Sequence, residues 1–245
     1  MKAVPEDHPS RASLYNNLGW TISRRYEHTR ILEDLEAAIL HAEAAVKASE
    51  GHSAHAGCLD NLAHHLCSQY IRTGDLQDLQ TAINHSETAV QVIPEDHPDY
   101  ATRLNGLGDH LSTRYERTGN FQDLEAAINH LQRAVKATAE DHSRWAGRLD
   151  RLGNYLSSRY KRTGDFQDLE AAINYTERAL KSIPEGRPGR ATWLHNLGIY
   201  LGRRYEGKGN LRDLEAAVKH IEGAVRAAGG PTTGGARGHL LSSLD

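Results

Sequence analysis

Residues 96–140 read DHPDYATRLNGLGDHLSTRYERTGNFQDLEAAINHLQRAVKATAE. This stretch decides the fold because the chain repeats it. Tyr26, Tyr70, Tyr115, Tyr160 and Tyr205 follow one another at spacings of 44, 45, 45 and 45. The pairs Asp34-Leu35, Asp78-Leu79, Asp123-Leu124, Asp168-Leu169 and Asp213-Leu214 keep the same spacings. So do Ala12, Ala56, Ala101, Ala146 and Ala191. Three landmarks in one register define a repeat, and a fixed period of this length marks stacked supersecondary units.

Within the quoted unit, Leu104, Leu107, Leu111 and Tyr115 recur at helical spacing around Gly108. Leu124, Ala127, Ile128, Leu131, Ala134 and Val135 form a second apolar stripe. Two helices per unit are therefore predicted. Between them lie Thr73-Gly74-Asp75, Thr118-Gly119-Asn120 and Thr163-Gly164-Asp165. Glycine takes the left-handed conformation that ends a helix, and Asp or Asn caps the next one. Unit one breaks this rule with Thr29-Arg30-Ile31, so a different turn is expected there. Linkers of the form Pro-Glu-Asp-His-Pro (Pro5–Pro9, Pro94–Pro98) offer Asp as a cap and Pro for a first helical turn. The glycines Gly19, Gly108, Gly153 and Gly198 mark a small-residue packing position.

No unit can bury its stripe alone, so the chain is expected to be one all-α array over residues 1–245. Its units run approximately 7–50, 51–95, 96–140, 141–185 and 186–228. Ala236 falls 45 residues after Ala191, and HLLSSLD follows. Residues 236–245 are read as a partial sixth-unit capping helix, or as the point where a longer array is cut.

The pattern Leu104-x-x-Leu107-Gly108-x-x-Leu111, with Ala127, Leu131 and Ala134, resembles the tetratricopeptide repeat, whose unit is about 34 residues. The longer unit here implies a first helix extended by roughly two turns. The "DHP…A…LN.L" signature is similar to kinesin-light-chain-type repeats and to arrays in fungal proteins, some of which carry a caspase-like CHAT protease domain; no such domain is present here. The resemblance covers roughly residues 5–228. It implies a right-handed superhelical solenoid whose concave groove is lined by the first helix of each unit. It implies no single function, because such folds host many partners.

Mapping groove positions by that resemblance gives Asn16, Trp20, Ser23 and Arg24 in unit one, and Asp60, His64, Cys67 and Ser68 in unit two. Units three and four give Asn105, Asp109, Ser112 and Thr113, then Asp150, Asn154, Ser157 and Ser158. Unit five gives His195, Ile199, Gly202 and Arg203. The expected binding set is Asn16, Trp20, Arg24, Asp60, His64, Asn105, Asp109, Asp150, Asn154, His195 and Arg203. These side chains are read as available to a ligand, Asn for the backbone of an extended peptide and Trp20 as an aromatic anchor. Arg24 and Arg203 would hold a carboxylate at either end. Trp145 and Trp193 fall near helix starts.

Most of the 15 histidines recur in register and read as structural: His8, His52, His97 and His142 in linkers, His41, His85, His130 and His220 on second helices, His65 and His110 on first helices. Asp60, His64 and Cys67, at i, i+4 and i+7, are candidate metal ligands or a thiol–imidazole pair, set against a plain polar groove. Arg25, Arg114, Arg159 and Arg204 recur just before the tyrosines and are expected to pair with acidic residues of the second helix.

The chain has 29 basic and 32 acidic side chains and a formal charge of −3. That balance speaks against a phosphate-tracking surface, and hence against nucleic acid as a partner. No apolar run reaches the ~20 residues of a bilayer span, and MKAVPEDHPSRAS lacks the apolar core of a secretory signal. Two cysteines make no disulfide framework. A cytoplasmic protein without cofactor or bound metal is expected. It would be a scaffold binding a protein or peptide segment in the groove. The alternatives are an enzyme or small-molecule binder with its pocket there, and a self-assembly module joined through the array ends.

Overall fold

The computed structural model describes residues 10–187 and 189–229. The expected sixth-unit helix at 236–245 and the linker Pro5–Pro9 lie outside the described residues. Among the described residues there are ten helices and no strand. They form five pairs: α1 (Arg11–Thr29) with α2 (Leu32–Ala48), α3 (His55–Thr73) with α4 (Leu76–Val92), α5 (Tyr100–Thr118) with α6 (Phe121–Lys136), α7 (Trp145–Thr163) with α8 (Phe166–Lys181), and α9 (Arg190–Lys208) with α10 (Leu211–Gly229). Every first helix has 19 residues, the length that the long repeat implied.

The chain divides into two compact units, Met1–His130 and Leu131–Asp245. In the first, α1 packs on α2, α2 on α3, α3 on α4 and α4 on α5. In the second, α7 packs on α8, α8 on α9 and α9 on α10. The second-helix stripes make the core, with Leu35, Leu79, Leu124 and Leu169 all fully buried. Close approach of the paired helices needs a missing side chain at Gly153 and Gly198. A Cβ there would lie 3.2 Å from the Ala172 carbonyl oxygen and 3.1 Å from that of Ala217, respectively.

Each helix pair closes through one turn. Gly74, Gly119, Gly164 and Gly209 have positive φ, and each N–H donates to the carbonyl of the repeat tyrosine four residues back at 2.7 Å. The expected different turn in unit one is corrected. Arg30 adopts the same left-handed conformation (φ 59°), and its N–H reaches the Tyr26 carbonyl at 2.8 Å. The carbonyl must be satisfied whatever residue closes the helix, so the backbone geometry persists without its glycine. What does change is the cap. Asp75, Asn120, Asp165 and Asn210 accept from the N–H two residues on at 2.9–3.2 Å, whereas Ile31 has no acceptor.

The linkers also differ from expectation. Pro98 does not enter the first helical turn, since α5 starts at Tyr100. The capping acceptor is histidine rather than the linker Asp: His97 Nδ1 accepts from the Asp99 N–H, and His142 Nδ1 from the Arg144 N–H, both at 3.1 Å. An imidazole acceptor two residues back closes the loop as an Asx side chain would. That is the structural use of His97 and His142, whereas His52 Nδ1 pairs with the Glu50 carbonyl oxygen at 2.9 Å. The recurring arginines pair as expected, Arg25 with Asp34, Arg114 with Asp123, Arg159 with Asp168 and Arg204 with Asp213, each through two hydrogen bonds.

Candidate functional site

The side chains assigned to the groove lie on the first helices, but many are bound to the next first helix along. In the first compact unit, Asn61 Nδ2 donates to Asn16 Oδ1 at 2.7 Å, joining α3 to α1. Asp60 accepts from Arg103 Nη1 at 2.6 Å, joining α3 to α5. Burial pushes the Asp60 carboxyl up and the Arg103 guanidinium pulls against it. On α5, Asn105 Nδ2 donates to Asp109 Oδ2 at 3.1 Å.

Three features remain open along the α1–α3 face. Trp20 is 41% exposed, with its ring 6.0 Å from that of exposed His64. Toward the helix N-termini lies a hollow of about 380 Å³ lined by Ser13, Asn16, Asn17, Gly57, Asn61 and Arg103. Toward the C-termini a second, of about 420 Å³, is lined by Tyr26, Glu27, Arg30, Ser68, Ile71 and Arg72. Arg24 is exposed beside it and pairs loosely with Glu27 at 3.5 Å. From Asn16 to Glu27 this strip is about 16 Å long at the helical rise.

Cys67 does not face this strip. It is buried, and burial pushes its thiol up to about 11, so it offers no thiolate near neutral pH. Its register mates Ser23, Ser112 and Ser157 are buried too. Position 67 therefore packs between helices, a role that its uniformly small residues (Ser, Cys, Ser, Ser, Gly) could have signalled. Asp60, His64 and Cys67 thus divide among an ion pair, the surface and the core. Among the described residues no group of three His, Cys, Asp or Glu gathers to hold a metal ion.

In the second compact unit, the predicted residues form a polar network between α7 and α9. Asp150 accepts from Asn154 Nδ2 and Asn196 Nδ2, both at 3.3 Å. The Tyr200 hydroxyl donates to Asn154 Oδ1 at 2.6 Å, and Arg203 Nη1 donates to Ser157 Oγ at 2.5 Å. Asp150 is buried, and that burial raises its carboxyl to about 6 despite the two amides. Burial raises the Tyr200 hydroxyl and lowers the Arg203 guanidinium. His195 is half-buried on α9. These side chains, read from the sequence as available to a ligand, also join helices of the fold. Neighbouring first helices meet through polar as well as apolar contacts, and buried polar atoms must be paired. Asn61, Arg103, Asn196 and Tyr200 were missed. Their signal is a separation of about one repeat from their partners.

Trp145 and Trp193 serve packing. Buried Trp145 clusters with Ala146, Leu149 and Ala179 against Trp193, and the Arg178 guanidinium lies 5.1 Å above its ring. Among the described residues, no helix is long and apolar enough to cross a membrane.

Residues 145–185, which make up the fourth helix pair, match the tetratricopeptide repeat family model. No curated protein matches the chain. Solved structures similar to it include a Podosopora anserina protein of the kinesin-light-chain type with nearly identical TPR-like repeats, at 17% identity and TM-score 0.62, covering 92% of this chain and 99% of that one. The 41-to-end portion of MamA from Desulfovibrio magneticus RS-1 aligns at 16% identity and TM-score 0.61, covering 91% and 98%. A thermophilic TPR protein of Thermus thermophilus aligns at 18% identity and TM-score 0.59, covering 95% and 98%. The fold is that of tetratricopeptide solenoids with kinesin-light-chain-like repeats.

Proposed function

We propose that this helical-repeat scaffold binds an extended protein or peptide segment across the first helices, chiefly along the α1–α3 strip. The observation that carries the reading is the exposed Trp20–His64 pair set between two hollows. A half-exposed Trp is the residue type most often central to a binding surface. Asn16 and Asn17 present donors and acceptors suited to peptide backbone. Exposed Ile71, beside Tyr26, suits an apolar side chain. A strip of about 16 Å accommodates roughly five extended residues. Exposed Arg24 favours a segment with an acidic group.

The remaining predicted residues serve more to brace and join first helices than to contact a ligand: Asp60, Asn105 and Asp109 within the first compact unit, and Asp150, Asn154, His195 and Arg203 within the second. A catalytic reading through Cys67 lacks a thiolate. The two unpaired, buried cysteines, Cys58 and Cys67, fit a reducing compartment such as the cytoplasm. The test is affinity capture with mass spectrometry, comparing wild type with a Trp20→Ala/His64→Ala variant whose helical circular dichroism is unchanged. Loss of the captured partner is expected, and full retention would refute the assignment to this strip.

A further inference from the structure

The first and last described helices expose positions that their counterparts in the intervening repeats bury. On α10, Leu214, Val218, Ile221 and Val225 are exposed. One repeat earlier, on α8, their counterparts Leu169, Ile173, Thr176 and Leu180 are buried, and α8 packs against α9. At the other end, Leu18 of α1 is 44% exposed, while Leu62, Leu107, Leu152 and Leu197 in its register are at most 3% exposed. Thr21 is exposed where His65, His110, Tyr155 and Tyr200 are buried.

We propose that a second copy of this chain docks its α1 on α10, repeating between molecules the joint that α8 and α9 make within one. Two observations favour this occupant. The first is charge. Internal repeat arginines turn Nη1 to the preceding second helix: Arg204 to Glu170 Oε2 and Arg114 to Gln80 Oε1, both at 2.6 Å. Among the described residues no second helix precedes Arg25, and its side chain is 63% exposed against 22% for Arg204. Glu215, exposed on α10, stands one repeat after Glu170, where the Arg25 of a second copy would reach it.

The second observation is volume. Within each compact unit, a large first-helix residue stands in register with a small second-helix one, His65 with Ala42, His110 with Ser86 at 2.9 Å and Tyr200 with Thr176, whereas the register pair Tyr155 and Leu131 is large on both sides. At the ends the sizes are exchanged, small Thr21 facing the register of large Ile221, so the pair still fills the joint.

Such a contact is heterologous, using a different face on each partner. The test is sedimentation equilibrium of the full chain over a wide concentration range, with Leu18→Glu and Val218→Glu variants that retain wild-type circular dichroism. Wild-type mass is expected to rise with concentration, and each variant alone to stay monomeric. An equimolar mixture of the two joins one intact α1 face to one intact α10 face, so it should form a dimer and nothing larger. Glu215→Arg should weaken wild-type association. A monomeric wild type would overturn the proposal, meaning that residues 230–245 or a different protein cover α10. So would self-association of Leu18→Glu alone, which would mark a symmetric α10–α10 contact, or a mixture that remains monomeric.

Discussion

Arg114 grips Asp123 by two parallel hydrogen bonds, Nε to Oδ2 at 2.8 Å and Nη2 to Oδ1 at 2.6 Å. The same fork ties first helix to second in four of the five pairs, where the Asp is nearly inaccessible and the bidentate geometry is strong. The second pair has Gln69 opposite Asp78. Without a guanidinium, burial and neighbouring Asp75 raise the Asp78 carboxyl, and only the Gln69 amide opposes them. Gln69→Arg should rebuild the fork and add about 0.5–1.5 kcal/mol at neutral pH, read as a higher urea midpoint. An unchanged midpoint would show that Asp78 is too exposed to gain from it.

Arg30 holds a left-handed conformation that four other units give to glycine. That geometry costs a residue with a side chain about 1–2 kcal/mol, and the flexibility of glycine returns roughly 0.5–1 of it to the unfolded chain. Arg30→Gly should therefore raise stability by less than about 1 kcal/mol, after loss of the Arg30 contact with the Tyr26 ring at 5.8 Å. Gly74→Ala is the converse. A Cβ there meets nothing within 4 Å, so its expected loss of about 1 kcal/mol isolates the backbone term. Equal melting temperatures for wild type and both variants would remove the argument.

His65 is fully buried, and neither ring nitrogen has a hydrogen-bond partner. Its register mate His110 pairs with Ser86, but one repeat earlier the place of Ser86 is taken by Ala42. Burial pushes both imidazoles down to about 4. The unfolded chain, with histidine near 6.5, then takes up protons that the folded chain refuses. Stability from these residues is complete above about pH 6.5 and declines as pH falls toward 4. His65→Leu should add about 1–3 kcal/mol by removing an unpaired polar ring, and should flatten the decline between pH 6.5 and 4. His110→Leu would leave Ser86 unpaired and gain less. Urea denaturation at several pH values decides between these outcomes.

The repeat made most of the architecture legible. Leu124 to Val135 reads as a buried stripe, and Arg114 with Asp123 reads as a pair, because both recur in every unit or nearly so. What the repeat concealed was pairing between units. Asp150 and Asn196 look like independent polar residues in the sequence, since the contact that joins them spans one repeat and has no local signature. Cys67 was assigned to the surface because helical spacing fixes a direction only to within a residue, and the next helix along determines which side is covered. Arg30 shows the converse limit. Its side chain argues against a left-handed turn, and the orphan carbonyl of Tyr26 outweighs it.

Asp150 reverses the pH trend set by His65. Its carboxyl sits near 6 rather than 3.8 because burial outweighs the amides of Asn196 and Asn154. A raised acid holds its proton more tightly folded than unfolded, so its contribution is greatest below about pH 4 and is lost as pH rises to 6. Above that, the buried charge costs on the order of 2–3 kcal/mol. Asp150→Asn preserves the side chain's shape but brings one amide N–H against another unless Asn196 turns over, so about 1–2 kcal/mol of gain is expected at pH 7.5 and none at pH 4. A gain of equal size at both values would mean that repacking, rather than charge, is responsible. Partner capture by the same variant separates two uses of the residue. If Asp150 only joins α7 to α9, capture survives the substitution; if the ionised carboxylate meets a ligand, capture fails in a protein that has become more stable.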